Sequence, residues 1–276
     1  MHTHFVDPYQ DRSSPVHRLD PRVKVGGTLL FIISNVLLPD GAWVAFLLGW
    51  LAVLALSQFA GLGPAYVVKR SFVALPFALA AVTAIFAIPG RPIWAGDLGP
   101  WSVTATDAGL LRFVSIVVRS WLSVQMAILM VATTRFPDMM HALRHLRVPP
   151  LLVAITSFMY RYLEVLTDET ARLLRAREAR SASLPGMRSG GTVAWRAQVA
   201  GNMAGQLFLR SYERSDRIYS AMVARGYTGN FRTLNPHVMR ARDWQALAAV
   251  VGFLLLLQII ARVFFGLPML GFGLFH

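Results

Sequence analysis

The sequence predicts an all-α integral membrane protein with about five transmembrane helices and a set of long amphipathic helices before the last span. Of its 276 residues, 55% are hydrophobic and only 15% are charged, and the mean hydropathy is +0.50. A typical soluble domain is about half apolar and about a quarter charged. The apolar residues form runs that approach the ~20 residues a helix needs to cross a bilayer. The basic residues concentrate between the last two runs.

Five apolar runs are candidates for spans, because a helix satisfies every backbone amide within its own segment. They cover residues 23–38, 42–60, 71–88, 111–134 and 246–266. A sixth run, 149–166, is shorter and contains Arg161 and Glu164, so we interpret it as interfacial or buried against other helices. The N-terminus is polar for more than twenty residues, unlike a cleavable signal peptide, and we expect the first span to be retained.

Lysine and arginine in the loops predict the orientation of the chain. The segment before the first span and the loop after the second are basic, whereas the loop after the third, 89–107, has one arginine and two tryptophans. Residues 135–243 contain 17 basic and 8 acidic residues, a net charge of +9. We therefore expect a cytoplasmic segment over 1–22, a four-span region over 23–134, a cytoplasmic helical region over 135–243, and a final span with an external C-terminus over 244–276.

The region 135–243 is predicted to be helical, because apolar residues recur in it at helical spacing. We expect a short amphipathic helix over 136–150, a longer helix over 151–180, a Gly, Pro and Ser linker over 181–191, and a third helix over 192–225. In the second helix, Asp168 lies four residues before Arg172, a spacing that favours an ion pair. In the third, Gly201 and Gly205 either let another helix approach closely or are merely tolerated.

The two long helices each end in a small residue followed by arginine. Ala224 and Arg225 are predicted to form the last turn of the third helix, with Gly226 as its left-handed cap. Arginine near a helix C-terminus is favoured by the macrodipole, so either end alone is ordinary capping. Two such ends together indicate that each helix end inserts into a groove of a partner. Alanine keeps the end narrow, and the guanidinium binds a carboxylate in the groove. The candidate coupling residues are Ala176, Arg177, Glu178, Ala224, Arg225 and Gly226.

At these residues the chain resembles the T components of energy-coupling factor transporters, the CbiQ/EcfT family, and more narrowly the CbiQ branch of cobalt uptake systems. The resemblance covers nearly the whole chain. It rests on "SPVHRLDPRVK", on "MYRYLEVLTDETARLLRAREAR", and on the paired triplets followed by "GYTG". In that family the triplets end crossed coupling helices, which implies that Arg177 and Arg225 dock on two ABC-type ATPase subunits. Arg180 is an alternative to Arg177 for the first contact.

The resemblance also implies the partners and the location of the chain. The ATPases would be CbiO/EcfA-like and would hydrolyse ATP. ATP binding would close their dimer and draw the helix ends together, and the helices would transmit this motion. The receiving partner would be a CbiM-like substrate-binding membrane subunit, with a CbiN-like small subunit as a further possibility. Cobalt is the expected cargo, with nickel or a vitamin as alternatives. The expected location is the bacterial inner membrane.

The chain itself is expected to be non-catalytic and to hold no cofactor. It has no cysteine, no Walker A sequence, no "GxSxG" and no "HExxH". The spans contain no Asp, Glu or His in an apolar centre, where such residues usually mark an ion path. Their main polar side chains are Asn35, Gln58, Gln125 and Gln258.

No metal site is predicted in the remaining histidines. His2 and His4 could bind a transition metal together with the amino group, but a disordered tail is the simpler interpretation. His141 and His145 are four residues apart on one helix face without a third ligand, and we interpret them as interfacial histidines.

Two other functions are weaker alternatives. A membrane-embedded enzyme would need a catalytic cluster, and the only dense candidates are Arg161, Glu164, Asp168 and Glu169. These residues are interpreted as ion pairs within and between helices. A nucleic-acid module is disfavoured because lysine occurs only at positions 24 and 69, both next to spans. The expected surroundings are membrane lipid and protein partners, not nucleic acid.

Overall fold

The computed structural model describes residues 8–74, 76, 80–98, 101–180, 192–228 and 239–265. These residues form nine α-helices and one two-stranded antiparallel sheet. They belong to two compact units, Met1–Leu146 with Pro236–His276, and Arg147–Asn235. The units are defined by packing, whereas the predicted regions 1–22, 23–134, 135–243 and 244–276 are defined by the side of the membrane. That second division stays a prediction.

The first unit begins with two apolar helices. Helix α1 covers Pro21–Val36, and the side chain of Asp20 caps it by accepting a 2.8 Å hydrogen bond from the backbone amide of Arg22. Proline at the first helical position needs no hydrogen-bond donor, so Pro21 suits this start. Helix α2 covers Trp43–Phe59 and is apolar over almost its whole length. Both helices lie within or close to the first two predicted spans.

The third predicted span, 71–88, is not one continuous helix over its described residues. Helix α3 covers Pro64–Ser71, a single 3-10 turn follows at Phe72–Ala74, and helix α4 covers Thr83–Ala87. Pro76 gives a physical reason, because proline lacks a backbone donor and its ring clashes with the carbonyl four residues earlier. Residues 75 and 77–79 lie outside the described part of the chain.

The predicted external loop 89–107 contains a β-hairpin. Strand β1 covers Pro92–Leu98 and pairs antiparallel with strand β2, Trp101–Thr106, with an irregularity in register near Pro92. The second strand, "WSVTAT", is rich in β-branched residues, which favour extended backbone. Among the described residues, this hairpin is the one departure from an all-helical architecture.

Two helices of the first unit are long and apolar enough to cross a membrane. Helix α5 covers Asp107–Thr133, and its N-cap Thr106 accepts a 3.1 Å hydrogen bond from Gly109. Helix α9 covers Ala241–Phe265, and its apolar part is Ala241–Val263. Among the described residues only these two helices meet the length and hydropathy of a span, and α2 is a shorter apolar helix. The total of five spans therefore stays a prediction.

The core of the first unit lies between α1, α2, α5 and α9. Its largest buried apolar side chains include Phe31, Phe46, Leu122 and Leu257. Polar side chains inside it connect the helices. The amide of Asn35 donates to the Arg119 carbonyl oxygen at 2.9 Å and to the Ser123 hydroxyl at 3.0 Å.

A second polar connection lies between α1 and α9. The Gln258 amide donates to the Ser34 carbonyl oxygen at 2.7 Å. Two of the predicted polar residues of the spans, Asn35 and Gln258, thus hold neighbouring helices together. Such interhelical hydrogen bonds are a normal form of helix association in membranes.

The remaining helices are amphipathic. Helix α6, Phe136–His145, belongs to the first unit and ends earlier than the predicted 136–150, because Arg147 adopts a left-handed backbone conformation with φ of 64°. The second unit contains helix α7, Pro150–Arg180, and helix α8, Val193–Ala224. The predicted linker 181–191 lies outside the described residues.

Candidate functional site

The end of α8 has the predicted geometry. Ala224 is the last helical residue, Arg225 is the C-cap, and Gly226 has a φ of +80°. The amide of Gly226 donates to the Val223 carbonyl oxygen at 2.9 Å, and the amide of Tyr227 donates to the Met222 carbonyl oxygen at 3.0 Å. These two bonds define a Schellman motif, in which glycine adopts the left-handed conformation at little cost. The helix end is therefore well defined although it is exposed.

The side chain of Arg225 is exposed at this end. Over the described part of the chain, the structure gives it no side-chain hydrogen bond and no ion pair. Its neighbours Ala224 and Gly226 are small and exposed, so they leave space around the guanidinium. A guanidinium in this setting can form a bidentate contact with a carboxylate on another protein.

The end of α7 differs from that of α8. The described helix continues to Arg180, so Ala176, Arg177 and Glu178 lie inside its last turns. Arg177 is half-buried, whereas Ala176, Glu178 and Arg180 are exposed. Arg177 is followed by three further helical residues within the described part of α7, whereas Arg225 is the C-cap of α8. The similarity of the two triplets is therefore one of sequence more than of position.

An ion-pair network connects α7 to α8. Glu169 of α7 accepts hydrogen bonds from Arg172 on its own helix and from Arg210 on α8. These hydrogen bonds, first that of Arg172 and then that of Arg210, lower the pKa of the Glu169 carboxyl. Glu169 therefore stays ionised at neutral pH, in agreement with its interpretation as an ion-pair residue.

The predicted partner of Arg172 was wrong in detail. Arg172 binds Glu169, three residues away, and not Asp168, four residues away. The reason is tertiary, because Glu169 also faces Arg210 of the other helix and so lies at the centre of the charge cluster. The spacing of charges along one helix contains no information about a cation on another.

An apolar groove lies beside this network in the second unit. It has a volume of about 350 Å³ and is lined from both helices. Its apolar walls are Phe158, Met159, Tyr162, Leu166, Ile218, Tyr219 and Met222. The sequence predicted both helices but not this groove between them. The aromatic spacing of Phe158 and Tyr162 along α7 was the available signal.

The two glycines of α8 do not support a close helix contact within the chain. A Cβ atom added at Gly201 or Gly205 would meet no described atom within 4 Å. Of the two interpretations left open by the sequence, tolerance of small residues agrees with the described chain.

The paired histidines of α6 lie close together. The rings of His141 and His145 have centroids 4.7 Å apart, and the Arg22 guanidinium lies 3.2 Å from His141 Nε2. The described residues contain no group of three His, Cys, Asp or Glu side chains able to hold a metal. His2 and His4 lie outside the described residues.

Comparison with known proteins identifies the family. The sequence model of the CbiQ family, described as cobalt transport protein, matches residues 12–237. An energy-coupling factor transporter transmembrane protein EcfT from Heliobacterium modesticaldum is 30% identical over 262 residues, 90% of this chain and 94% of that protein. The EcfT of Lacticaseibacillus paracasei is 26% identical over 266 residues, 91% of this chain and 97% of that protein. An uncharacterized protein of Methanocaldococcus jannaschii is 26% identical over 250 residues, 87% of this chain and 80% of that protein.

The family match includes both arginine-bearing helix ends and most of the first unit. The two EcfT relatives match along nearly their whole length. The resemblance noted in the sequence is therefore confirmed: the chain belongs to the CbiQ/EcfT family and is a transmembrane (T) component of the energy-coupling factor transporter type.

Proposed function

We propose that this chain transmits the ATP-driven motion of two ABC-type ATPase subunits to a substrate-binding membrane subunit, and that the cargo is cobalt. The observation that supports this proposal most directly is the end of α8. There an exposed arginine without a described partner stands at a helix terminus held by a Schellman motif.

The macrodipole favours a cation at the end of α8, and a guanidinium there can also bind a carbonyl or a carboxylate of its own chain. Arg225 does neither within the described residues. Docking gives it a role, because a carboxylate in a groove of the ATPase would bind the guanidinium in two hydrogen bonds. Ala224 and Gly226 keep the helix end narrow enough to enter such a groove.

We propose that α7 docks in the same way on the second ATPase, through Ala176, Arg177 and Glu178. Arg180 is the alternative first contact, and its greater exposure favours it over the half-buried Arg177. Separate variants at the two positions decide between them.

Helices α7 and α8 are long enough to act as levers. With 31 residues in α7 and 32 in α8, each is roughly 45–48 Å long at a rise of about 1.5 Å per residue. The contact of Glu169 with Arg210 connects them, so motion applied to one helix end is passed to the other helix. In this proposal the ATPases close, the two helix ends approach each other, and the membrane part transmits the movement.

The description of the matching family as cobalt transport protein supports cobalt as the proposed cargo, and nickel or a vitamin are the alternatives. The proposed partners are CbiO/EcfA-like ATPases and a CbiM-like membrane subunit with or without a CbiN-like one. We further propose that the N-terminus and residues 135–243 lie in the cytoplasm of a bacterial cell, since basic loops favour that side.

A pull-down from native membranes tests this function. The wild-type chain, the Arg225→Glu variant and a matched Arg217→Glu control are purified in mild detergent, and their co-purifying proteins are identified by mass spectrometry. Arg217 is also exposed on α8, eight residues before Arg225, and has no ion pair among the described residues. Reversing a buried guanidinium contact costs several kcal/mol, roughly 3–5, so Arg225→Glu should lose the ATPase while Arg217→Glu retains it.

Arg177→Glu and Arg180→Glu, made separately, show which arginine of α7 makes the contact. Uptake of radioactive cobalt and nickel in cells that express the variants then tests the cargo. If Arg225→Glu recruits ATPase as well as the control does and supports full uptake, the docking role is wrong.

A further inference from the structure

A polar cavity of about 600 Å³ lies in the first unit. Its lining includes Pro21 at the start of α1, Thr133 at the end of α5, and Arg242 in the first turn of α9. Since α5 and α9 are the two described helices long and apolar enough to span a bilayer, their ends at the cavity mark an edge of the apolar zone. If α5 and α9 span the bilayer, the cavity lies at the level of lipid headgroups.

Basic side chains dominate the lining. Five cations face three carboxylates around the cavity, a net charge of +2 with histidine neutral. Three of the cations, Arg18, Arg240 and Arg242, are exposed, and their side chains form no hydrogen bond or ion pair with any part of the chain that the structure describes. These guanidinium groups are available to an anion.

Two of the three carboxylates are oriented by backbone amides. Asp243 accepts from the amide of Asp20 at 3.0 Å and from the amide of Arg240 at 2.8 Å, one bond to each oxygen. Asp20 accepts from the amide of Arg22 as the N-cap of α1. Each carboxylate therefore has a structural role at a helix start, and neither is hydrogen-bonded to the side chain of a cavity arginine.

A fourth cation, Lys24, adds to the wall. Its Nζ donates to the carbonyl oxygens of His17 and Thr133, both at 3.0 Å. An ammonium group has three donors, so one remains for a ligand. The fifth cation, Arg135, already forms an ion pair with Asp11 at 3.6 Å and lies over the ring of Tyr9.

We propose that this cavity binds the phosphate of an anionic phospholipid headgroup in the cytoplasmic leaflet. The shared chemistry is that of any phosphate anion, but two features favour a lipid. The cavity lies at the ends of span-length helices, and Trp244, next to Asp243, is 60% exposed, as is typical of tryptophan at a membrane interface. Basic pockets between transmembrane helices on the cytoplasmic side recognise such headgroups. The proposal depends on the membrane placement of α5 and α9 and not on ATPase docking.

Native mass spectrometry of the purified full chain tests the proposal. The chain is transferred to detergent micelles doped with equal amounts of phosphatidylglycerol and phosphatidylcholine, and the lipids that remain bound are counted. The test variant is Arg240→Gln with Arg242→Gln. The matched control is Lys69→Gln with Arg70→Gln, which removes two exposed charges from the same predicted side of the membrane but outside the cavity.

The wild type should retain phosphatidylglycerol in preference to phosphatidylcholine. Each basic residue near an anionic lipid contributes about a 5-fold preference, so the test variant should lose roughly 30-fold and the control should keep the wild-type ratio. If the double variant does not fold, Arg18→Gln compared with Lys69→Gln answers the same question with a loss of about 5-fold.

An unchanged lipid ratio in the cavity variant, or an equal loss in the control, overturns the site.

A further measurement distinguishes a lipid phosphate from a free phosphate. Inorganic phosphate is added without lipid and the thermal unfolding midpoint is measured. If it raises the midpoint as much as phosphatidylglycerol does, the cavity binds a free anion and the lipid assignment is wrong.

Discussion

Replacing Gly226 with alanine adds one heavy atom, the Cβ, at the end of α8. The residue has a φ of +80°, and a side chain with a Cβ atom costs about 1–2 kcal/mol in this left-handed conformation. The cost weakens the two terminal hydrogen bonds, from Gly226 to Val223 and from Tyr227 to Met222. Local opening of the helix end should therefore become about 5- to 30-fold more frequent, since about 1.4 kcal/mol corresponds to a factor of ten.

Hydrogen exchange by mass spectrometry measures this opening. In the Gly226→Ala variant, peptides that cover 219–228 should exchange faster by that factor, while peptides of α5 should be unchanged. Gly205→Ala is the matched control on the same helix, because Gly205 lies in the helix interior with open space around its Cβ position. There alanine should slow exchange, since it is favoured over glycine by about 1 kcal/mol inside a helix. If Gly226→Ala leaves the exchange of 219–228 unchanged, the capping explanation of this helix end is refuted.

Two further predictions follow from the packing within each unit. Because the lowered pKa of Glu169 lies below its ordinary 4.5, the contact between α7 and α8 should be present above pH 4.5 and lost as the pH falls through the folded-state value. The chain has no cysteine of its own, so spin labels can be attached to cysteines introduced into α7 and α8, and the distribution of distances between them should broaden in acid. The Glu169→Gln variant should show the broader distribution at every pH. Unchanged distances in acid would contradict this. In α5, a Cβ atom added at Gly109 would lie 2.9 Å from the Ile85 carbonyl carbon, so Gly109→Ala should lose about 1–3 kcal/mol of stability. Gly252→Ala, with nothing described within 4 Å, is the control in thermal unfolding, and equal midpoints would disprove the crowding.

Much of the helical architecture was predictable from local sequence. The helices predicted over 151–180 and 192–225 agree with α7 and α8 to within about one residue, because their apolar residues recur at helical spacing and Thr192 and Gly226 are good caps. The predicted span 71–88 was less accurate. The segment is as apolar as a span, but apolar composition does not show that the proline at position 76 interrupts the helical backbone.

The candidate site was predictable in part. Gly226 could be assigned from a glycine that follows the last periodic residue of a helix, and its left-handed conformation is confirmed. The network around Glu169 could not be assigned correctly, since the choice between two adjacent carboxylates depends on Arg210, 41 residues further along the chain. The cavity beside α9 was missed altogether, because its residues come from three distant parts of the sequence.

The amino-acid sequence alone was enough to predict the membrane character, the long amphipathic helices, the two arginine-bearing ends and the family. These properties depend on composition, on periodicity and on short local patterns, all of which exist before the chain folds. The packing of the folded chain was needed to establish that Glu169 and not Asp168 joins α7 to α8, and that Arg18 lies with Arg240 and Arg242 around one cavity. Those outcomes depend on which distant segments pack together, and no local pattern specifies that.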